Sequence, residues 1–354
     1  MSSRESTDVL VTGGAGFLGA RVVQSYLDSD RHVRVVGHAG RGARAQGRPL
    51  PARLEFVELD LCDLRDNLDV FAGQSLVVHT AAMIHAHTPE ERVLQRRINV
   101  DGTRDVIEAC RRNAVPRLIH VSSTAAIGIS RDPGSPADEG FRFNLGDLAL
   151  GYNRSKQEAE RLVLDANGPE LETIVVNPGF MFGSHHSGYR GREVVDRVLR
   201  RFVVPYTRGG MSLVHVDDVV DGIRRVDDNG GPGQRYILSG ENLSFAAIAR
   251  TVCQVAGVRK LLVPVPNLLR DLTGRVVNGR VGRRGAAGPQ LHLDRRYAHQ
   301  YHSSERARTE LGYQPRSFAH VVGDALEHIR HEEASPRAEA AQPGSGQGRE
   351  GATR

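Results

Sequence analysis

The stretch VLVTGGAGFLGARVV, residues 9–23, begins as an apolar run and then gives up its side chains at Gly13, Gly14, Ala15, Gly16 and Gly19. The run at 9–11 reads as a buried strand, and Phe17, Leu18, Val22 and Val23 follow at helical spacing. Glycine accepts positive φ and lets another group approach the backbone closely. The stretch therefore predicts strand, tight turn and helix, with the helix N-terminus left open. That is the geometry that receives an anion such as a pyrophosphate. A plain glycine-rich turn is written in the same letters, so the rest of the chain has to decide.

Outward from this turn, strand-like runs recur at 33–36, 55–60, 76–82, 117–123 and 173–179. Helix-like stretches lie between them, most clearly VDGTRDVIEACRRN (100–113) and YNRSKQEAERLVLDA (152–166). Short apolar strands alternating with amphipathic helices predict an α/β fold, a doubly wound parallel sheet covered on both faces. Ligands of such sheets sit at the carboxyl ends of the strands. Those ends hold Gly13, His38, Asp60, Ala81, Ser123 and Pro178. Residues 1–182 are expected to form the nucleotide-binding domain. Residues 183–332 are expected to form a smaller substrate lobe interleaved with the last sheet strands. In that lobe LVHVDDVVDGIRRV (213–226) reads as a strand and then a helix capped by Asp217 or Asp218. RYILSGENLSFAAIARTVCQVAG (235–257) reads as a strand, a helix capped by Ser244 and a stop at Gly257. Residues 333–354 have no apolar periodicity and read as a disordered tail.

Composition narrows the class. The 354 residues are 39% hydrophobic and 25% charged, ordinary for a globular protein. No signal pattern opens the chain, and no apolar run approaches the ~20 residues of a membrane helix. Cys62, Cys110 and Cys253 are scattered without metal-ligand spacing and read as reduced thiols of a cytoplasmic protein. The net charge of +5 is local, because residues 270–308 carry nine Arg against three acids. Only Tyr297 and Tyr301 interleave that segment, and no nucleic-acid motif accompanies it. Neither a nucleic-acid nor a membrane partner is expected. A small-molecule substrate and a homodimer are.

The chemistry concentrates at Tyr152 and Lys156, one helical turn apart and so on one face. An ammonium beside a phenol stabilises the phenolate and makes it a usable acid or base. Hydroxyls at Ser122, Ser123 and Thr124 close the fifth strand, where one of them can orient a substrate oxygen. With LDLCD, VVHTAA, INVDGT, HVDDV (215–219) and ARTELGYQP (307–315) in the same order, the chain resembles the extended short-chain dehydrogenases/reductases, the NAD(P)-dependent epimerase/dehydratase superfamily. The resemblance runs from about residue 9 to 329.

The resemblance implies a Rossmann-type fold and a role for each matching position. Gly13, Gly16 and Gly19, with the amides of Phe17 and Leu18, would turn around the pyrophosphate. Asp60 and Leu61 would contact adenine, Ala81 and Ala82 the ribose and nicotinamide, and Pro178 and Gly179 the nicotinamide. Tyr152 would be the acid/base, with Lys156 its electrostatic partner and ribose ligand. Ser123, five residues before Gly128, matches the catalytic hydroxyl, with Thr124 the alternative.

Departures from the pattern refine these expectations. Gly37 stands where NAD-preferring members carry an acid, and His38, Arg41 and Arg44 follow it. That favours NADP, with NAD the alternative. The segment NPGFMFG (177–183) puts Asn177 and Phe180 where nucleotide-sugar enzymes carry Arg and Asn, and Met211 stands where they carry a further Arg. These three, with Met83, His85 and Thr124, are the expected substrate-facing residues. His85 and His87 lack a suitably spaced third ligand, so no metal is expected. The branch resembled includes dihydroflavonol reductases, 3β-hydroxysteroid dehydrogenases and hopanoid-associated sugar epimerases. The expected activity is NADP(H)-dependent ketone reduction or alcohol oxidation on an apolar small molecule. A nucleotide-sugar epimerase or dehydratase, and a silent NADP-binding sensor, are the alternatives.

Overall fold

A computed structural model describes residues 8–38, 51–145, 151–185, 188–265 and 299–334. Arg41, Arg44, most of the Arg-rich segment at 270–308 and the expected tail beyond residue 334 lie outside the described residues.

The opening stretch forms strand β1 (Asp8–Thr12) and helix α1 (Gly19–Leu27). Strands β2 (Val33–Gly37), β3 (Leu54–Glu58) and β4 (Gln74–His79) follow. Helices α2 (Pro89–Arg96) and α3 (Gly102–Arg112) lead to β5 (Arg117–Val121), then α4 (Gly151–Asp165) and β6 (Glu172–Pro178). These six strands are parallel neighbours in the order β6-β5-β4-β1-β2-β3. Period-two alternation divides their side chains between two layers. Val9, Val11, Leu76, Val78, Ile119, Val121, Ile174 and Val176 join one core with Tyr26 of α1. Leu10, Val77, Leu118 and Val175 join the other with Val106 and Cys110 of α3 and Val163 of α4. Both faces are therefore covered, which is why these strands read as nearly continuous apolar runs.

At Pro178–Gly179 the chain leaves this sheet for a smaller one. The second lobe contains β7 (Phe180–His185), β8 (Gly188–Arg190), α5 (Arg192–Leu199), β9 (Val203–Tyr206) and β10 (Gly210–His215). Helix α6 (Val216–Asn229) then returns to the large sheet, burying Val219, Ile223 and Val226 in its first core. Strand β11 (Arg235–Leu238) adds a seventh parallel strand beside β6. The chain goes back to the small lobe with β12 (Glu241–Ser244), α7 (Phe245–Val255) and β13 (Leu261–Pro264). It ends with β14 (His299–Gln300), α8 (Glu305–Leu311) and α9 (Phe318–Ala334). The small sheet runs β12-β10-β7-β8, with β14 paired to β10 and with β9 and β13 forming a separate parallel pair.

Local stops and starts follow from caps. Ser244 accepts the Ala247 amide at 3.2 Å and opens α7, and Gly257 turns with φ +67° after it. The cap expected at Asp217 or Asp218 belongs instead to His215. Its imidazole Nδ1 accepts the Asp217 amide at 3.2 Å, while Asp218 takes Arg316 in an ion pair at 2.8 Å. No described helix is long and apolar enough to cross a membrane.

Candidate active site

The switch point of the large sheet lies between β1 and β4, where the strand order reverses direction along the chain. The glycine turn sits there. Gly13 has φ +69°, and a Cβ on it would come within 2.8 Å of the Ala81 backbone. A Cβ on Gly19 would overlap the Gly13 carbonyl oxygen. Helix α1 has no side-chain cap and no acid in its first turn, so its positive end is open to an anion. The strand ends beneath are pinned by His79. Thr103 donates its hydroxyl to the Asn99 carbonyl, so His79 Nε2–H donates to Thr103 (3.0 Å) and Nδ1 accepts from Thr12 (2.7 Å). Burial pushes the His79 imidazole down to about 3 and keeps it neutral.

A cavity of about 470 Å³ runs from this turn across the sheet edge. Of the residues expected to hold a cofactor, Gly13, Gly16, Phe17, Leu18, Gly19, His38, Asp60, Leu61, Ala81, Ala82, Tyr152 and Lys156 line it. The Asp60 carboxylate accepts the Cys62 amide at 2.9 Å and meets His38 Nε2 at 3.1 Å. The amide contact and the histidine both hold its carboxyl below the usual range. A glycine cradle, an open helix end and a buried ammonium in one elongated cavity fit a dinucleotide. Pro178 and Gly179 line the adjoining cavity instead.

That second cavity measures about 280 Å³ and is walled by Ile84, Leu145, Phe180, Met181 and Met211, with His85, Ser123 and Thr124 on its polar side. Tyr152, Ser122, Met181, Ile84 and Arg190 border both cavities. Lys156, one turn below Tyr152 on α4, is buried and donates from Nζ to the Val121 carbonyl at 2.7 Å. Burial pushes its ammonium down to about 8, with Glu160 pulling the other way. Ser123 takes an extended conformation, and its hydroxyl accepts the Ala125 amide at 3.1 Å at the end of β5.

Two residues expected to face the substrate do not line the second cavity. Met83 faces the first cavity, not the second, because Asn99 grips its backbone: Oδ1 accepts the Met83 amide at 2.8 Å and Nδ2 donates to its carbonyl at 3.0 Å. Asn177 is wholly buried and lines neither cavity. Its Nδ2 donates to the Ser123 carbonyl at 3.0 Å and to Glu160 at 2.7 Å. Glu160 in turn holds Arg235 of β11 at 2.7 Å. This chain of contacts runs from the seventh strand through the middle of α4 to the backbone of Ser123.

The sequence drew attention to Ser122 only as one of three neighbouring hydroxyls, and it passed over Arg190. The Ser122 hydroxyl is buried and has no hydrogen-bond partner among the described residues, although it borders both cavities. Its place in the SST triplet was a usable signal. For Arg190, seen only once β8 folds over the glycine turn, the sequence held none. Among the described residues no group of three or more His, Cys, Asp or Glu is placed to hold a metal.

Comparison with known proteins agrees with this architecture. The chain is 30% identical over 338 residues to a 3-beta-hydroxysteroid dehydrogenase of Mycolicibacterium neoaurum, covering 87% of each chain. It is 29% identical over 265 residues to a 4-hydroxy-2-methyl-3-oxo-4-farnesyl-3,4-dihydroquinoline-1-oxide ketoreductase of Stigmatella aurantiaca, covering 72% of this chain and 75% of the other. A UDP-glucose 4-epimerase of Thermotoga maritima, solved with UDP-glucose, shares the fold with a TM-score of 0.71 at 20% identity, over 92% of this chain and 99% of that one. Residues 9–239 match the NAD dependent epimerase/dehydratase family, and the chain belongs to that family as an NAD(P)-dependent enzyme of oxidoreductase type.

Proposed function

We propose that the protein is an NADP(H)-dependent ketone reductase or alcohol dehydrogenase acting on an apolar small molecule. The observation that carries this reading is the wall of the second cavity. Phe180 and Met211 stand in it where nucleotide-sugar enzymes place polar and cationic ligands for a diphosphate, and Ile84, Leu145 and Met181 complete an apolar surface. Such a wall favours hydrocarbon over sugar diphosphate, which needs paired donors on burial. The relatives named for a steroid and for a farnesylated quinoline oxide support the same substrate class.

The nicotinamide, when bound, supplies hydride exchange with the carbinol or carbonyl carbon. Tyr152, on the border of the two cavities, gives or takes the proton at the substrate oxygen. Lys156 stabilises the phenolate form and holds a ribose hydroxyl. Ser123 orients the oxygen, and Thr124 is the substitute should its hydroxyl serve instead. Gly37 at the end of β2 supports NADP, since no carboxylate stands there to repel a 2′-phosphate. His38 follows Gly37, 74% exposed on its side chain and paired with Asp60 at 3.1 Å, and a 2′-phosphate would compete with that carboxylate for the imidazole. The test is NADPH oxidation with purified protein over ketones, aldehydes and nucleotide sugars. Stoichiometric turnover of an apolar ketone is expected. Product formation from a nucleotide sugar without net cofactor consumption would replace this reading with an epimerase, and binding without any turnover would replace it with a sensor.

A further inference from the structure

We infer that Arg190, from the second lobe, grips the diphosphate of the bound dinucleotide beside the glycine turn. The inference rests on the family's dinucleotide and not on the substrate proposed above.

Arg190 ends β8, where it pairs with Gly183 of β7. Its guanidinium carbon lies 5.2 Å from the centre of the Phe17 ring, and Phe17 belongs to the glycine turn itself. The residue is half-buried and borders both cavities. Among the described residues, Arg21 pairs with Asp217, Arg192 with Asp196 and Glu332, and Arg316 with Asp218. Arg190 has no acid within ion-pair distance among the described residues and holds its place by stacking on Phe17. An arginine stacked on a ring keeps its fork of donors in one plane, pre-set for two phosphate oxygens. Two residues after Phe17, α1 begins with an uncapped N-terminus and no acid in its first turn. A diphosphate on that helix end would meet the helix amides and, beside them, the guanidinium. Because Arg190 ends β8 of the small sheet and α1 follows β1 of the large one, the dinucleotide would tie the second lobe to the first.

Arg190 also reaches the second cavity, so a substrate anion is the competing source of the same chemistry. ADP-ribose separates them, since it carries the diphosphate but no nicotinamide and no substrate. Calorimetric binding of ADP-ribose to the full chain should weaken roughly ten- to a hundredfold in Arg190→Ala, as for a lost hydrogen bond to a charged group. Arg190→Lys should recover part of the affinity, and the salt dependence of binding should become shallower in Arg190→Ala. The apoprotein of each variant should melt at the wild-type temperature, because the side chain loses only a ring contact. Should Arg190→Ala fail to fold, Arg190→Lys carries the comparison alone through its weaker, monodentate grip. Equal ADP-ribose affinity in wild type and variants, with a raised KM for substrate, would assign the cation to the substrate and overturn the inference. Absence of ADP-ribose binding by the wild type would instead overturn the dinucleotide reading of the cavity, on which the inference depends.

Discussion

Replacing Asn177 by Ala tests whether this side chain braces the site from behind or faces the substrate. Its amide is wholly buried and makes two hydrogen bonds, at 3.0 Å to the Ser123 carbonyl and at 2.7 Å to the Glu160 carboxylate. The bond to the carboxylate is worth about 2 kcal/mol and the neutral one about 1 kcal/mol. Both acceptors stay buried after the change, so little is regained from water. Asn177 Oδ1 has no partner among the described residues, and its removal offsets part of the loss. A net destabilisation of about 2–3 kcal/mol follows, which for a chain of this size lowers Tm by about 3–4 °C. With the Asn177 bond gone, the Ser123 carbonyl keeps only the Ala126 amide at 2.9 Å, within its own turn, and loses its tie to β6. The rate constant kcat should fall about tenfold to a hundredfold, as for small misplacements of catalytic groups, with KM nearly unchanged. Thermal unfolding of the apoprotein and steady-state kinetics on one ketone supply both readings. A variant with wild-type Tm and a raised KM alone would refute the reasoning, because it would put the amide on the substrate.

The Lys156 ammonium is pushed down to about 8 by burial, so cofactor affinity should fall as pH rises through about 8 and the ammonium loses its proton. In Lys156→Met the pH dependence should vanish along with most of the affinity, as read by NADPH fluorescence titration. The same depressed value acts on folding in the opposite sense: the buried cation costs stability below about pH 8, and that cost fades as pH climbs towards the ordinary lysine range. Gly19→Ala should abolish dinucleotide binding, because its Cβ would overlap the Gly13 carbonyl oxygen and open the turn; retention of wild-type affinity in calorimetry would contradict the cradle. NADP(H) should bind more tightly than NAD(H), and His38→Asp with Arg41→Ala should narrow or reverse the difference; equal affinities in the starting protein, unchanged in the double variant, would refute the assignment.

The central strands were legible because they are buried on both faces, so Val9–Val11 or Ile174–Val176 shows as an unbroken apolar run. The glycine turn and the Tyr152–Lys156 pair were legible because their chemistry depends on local spacing. The contacts that needed the fold are those made across long stretches of sequence. Arg235 reaches Glu160 only because β11 returns from the second lobe to lie beside β6. Asn177 sits in a strand whose two faces are both buried, and nothing in NPGFMFG tells which way its amide turns. His215 caps α6 although aspartates follow it, because Asp218 is drawn to Arg316, about a hundred residues later. Arg190 acquires its meaning only from Phe17, in the glycine turn far away in sequence.

The central claim is that Tyr152 moves the proton where the two cavities meet, and Tyr152→Phe tests it most directly. The change removes one oxygen and leaves the ring, α4 and the Lys156 contact to Val121 in place. Measured on the ketone that the wild type reduces, turnover should fall by about 10² to 10⁴, as for a lost general acid, while NADPH binds the variant nearly as well as the wild type. Near-normal turnover in Tyr152→Phe would contradict the mechanism even with the fold intact.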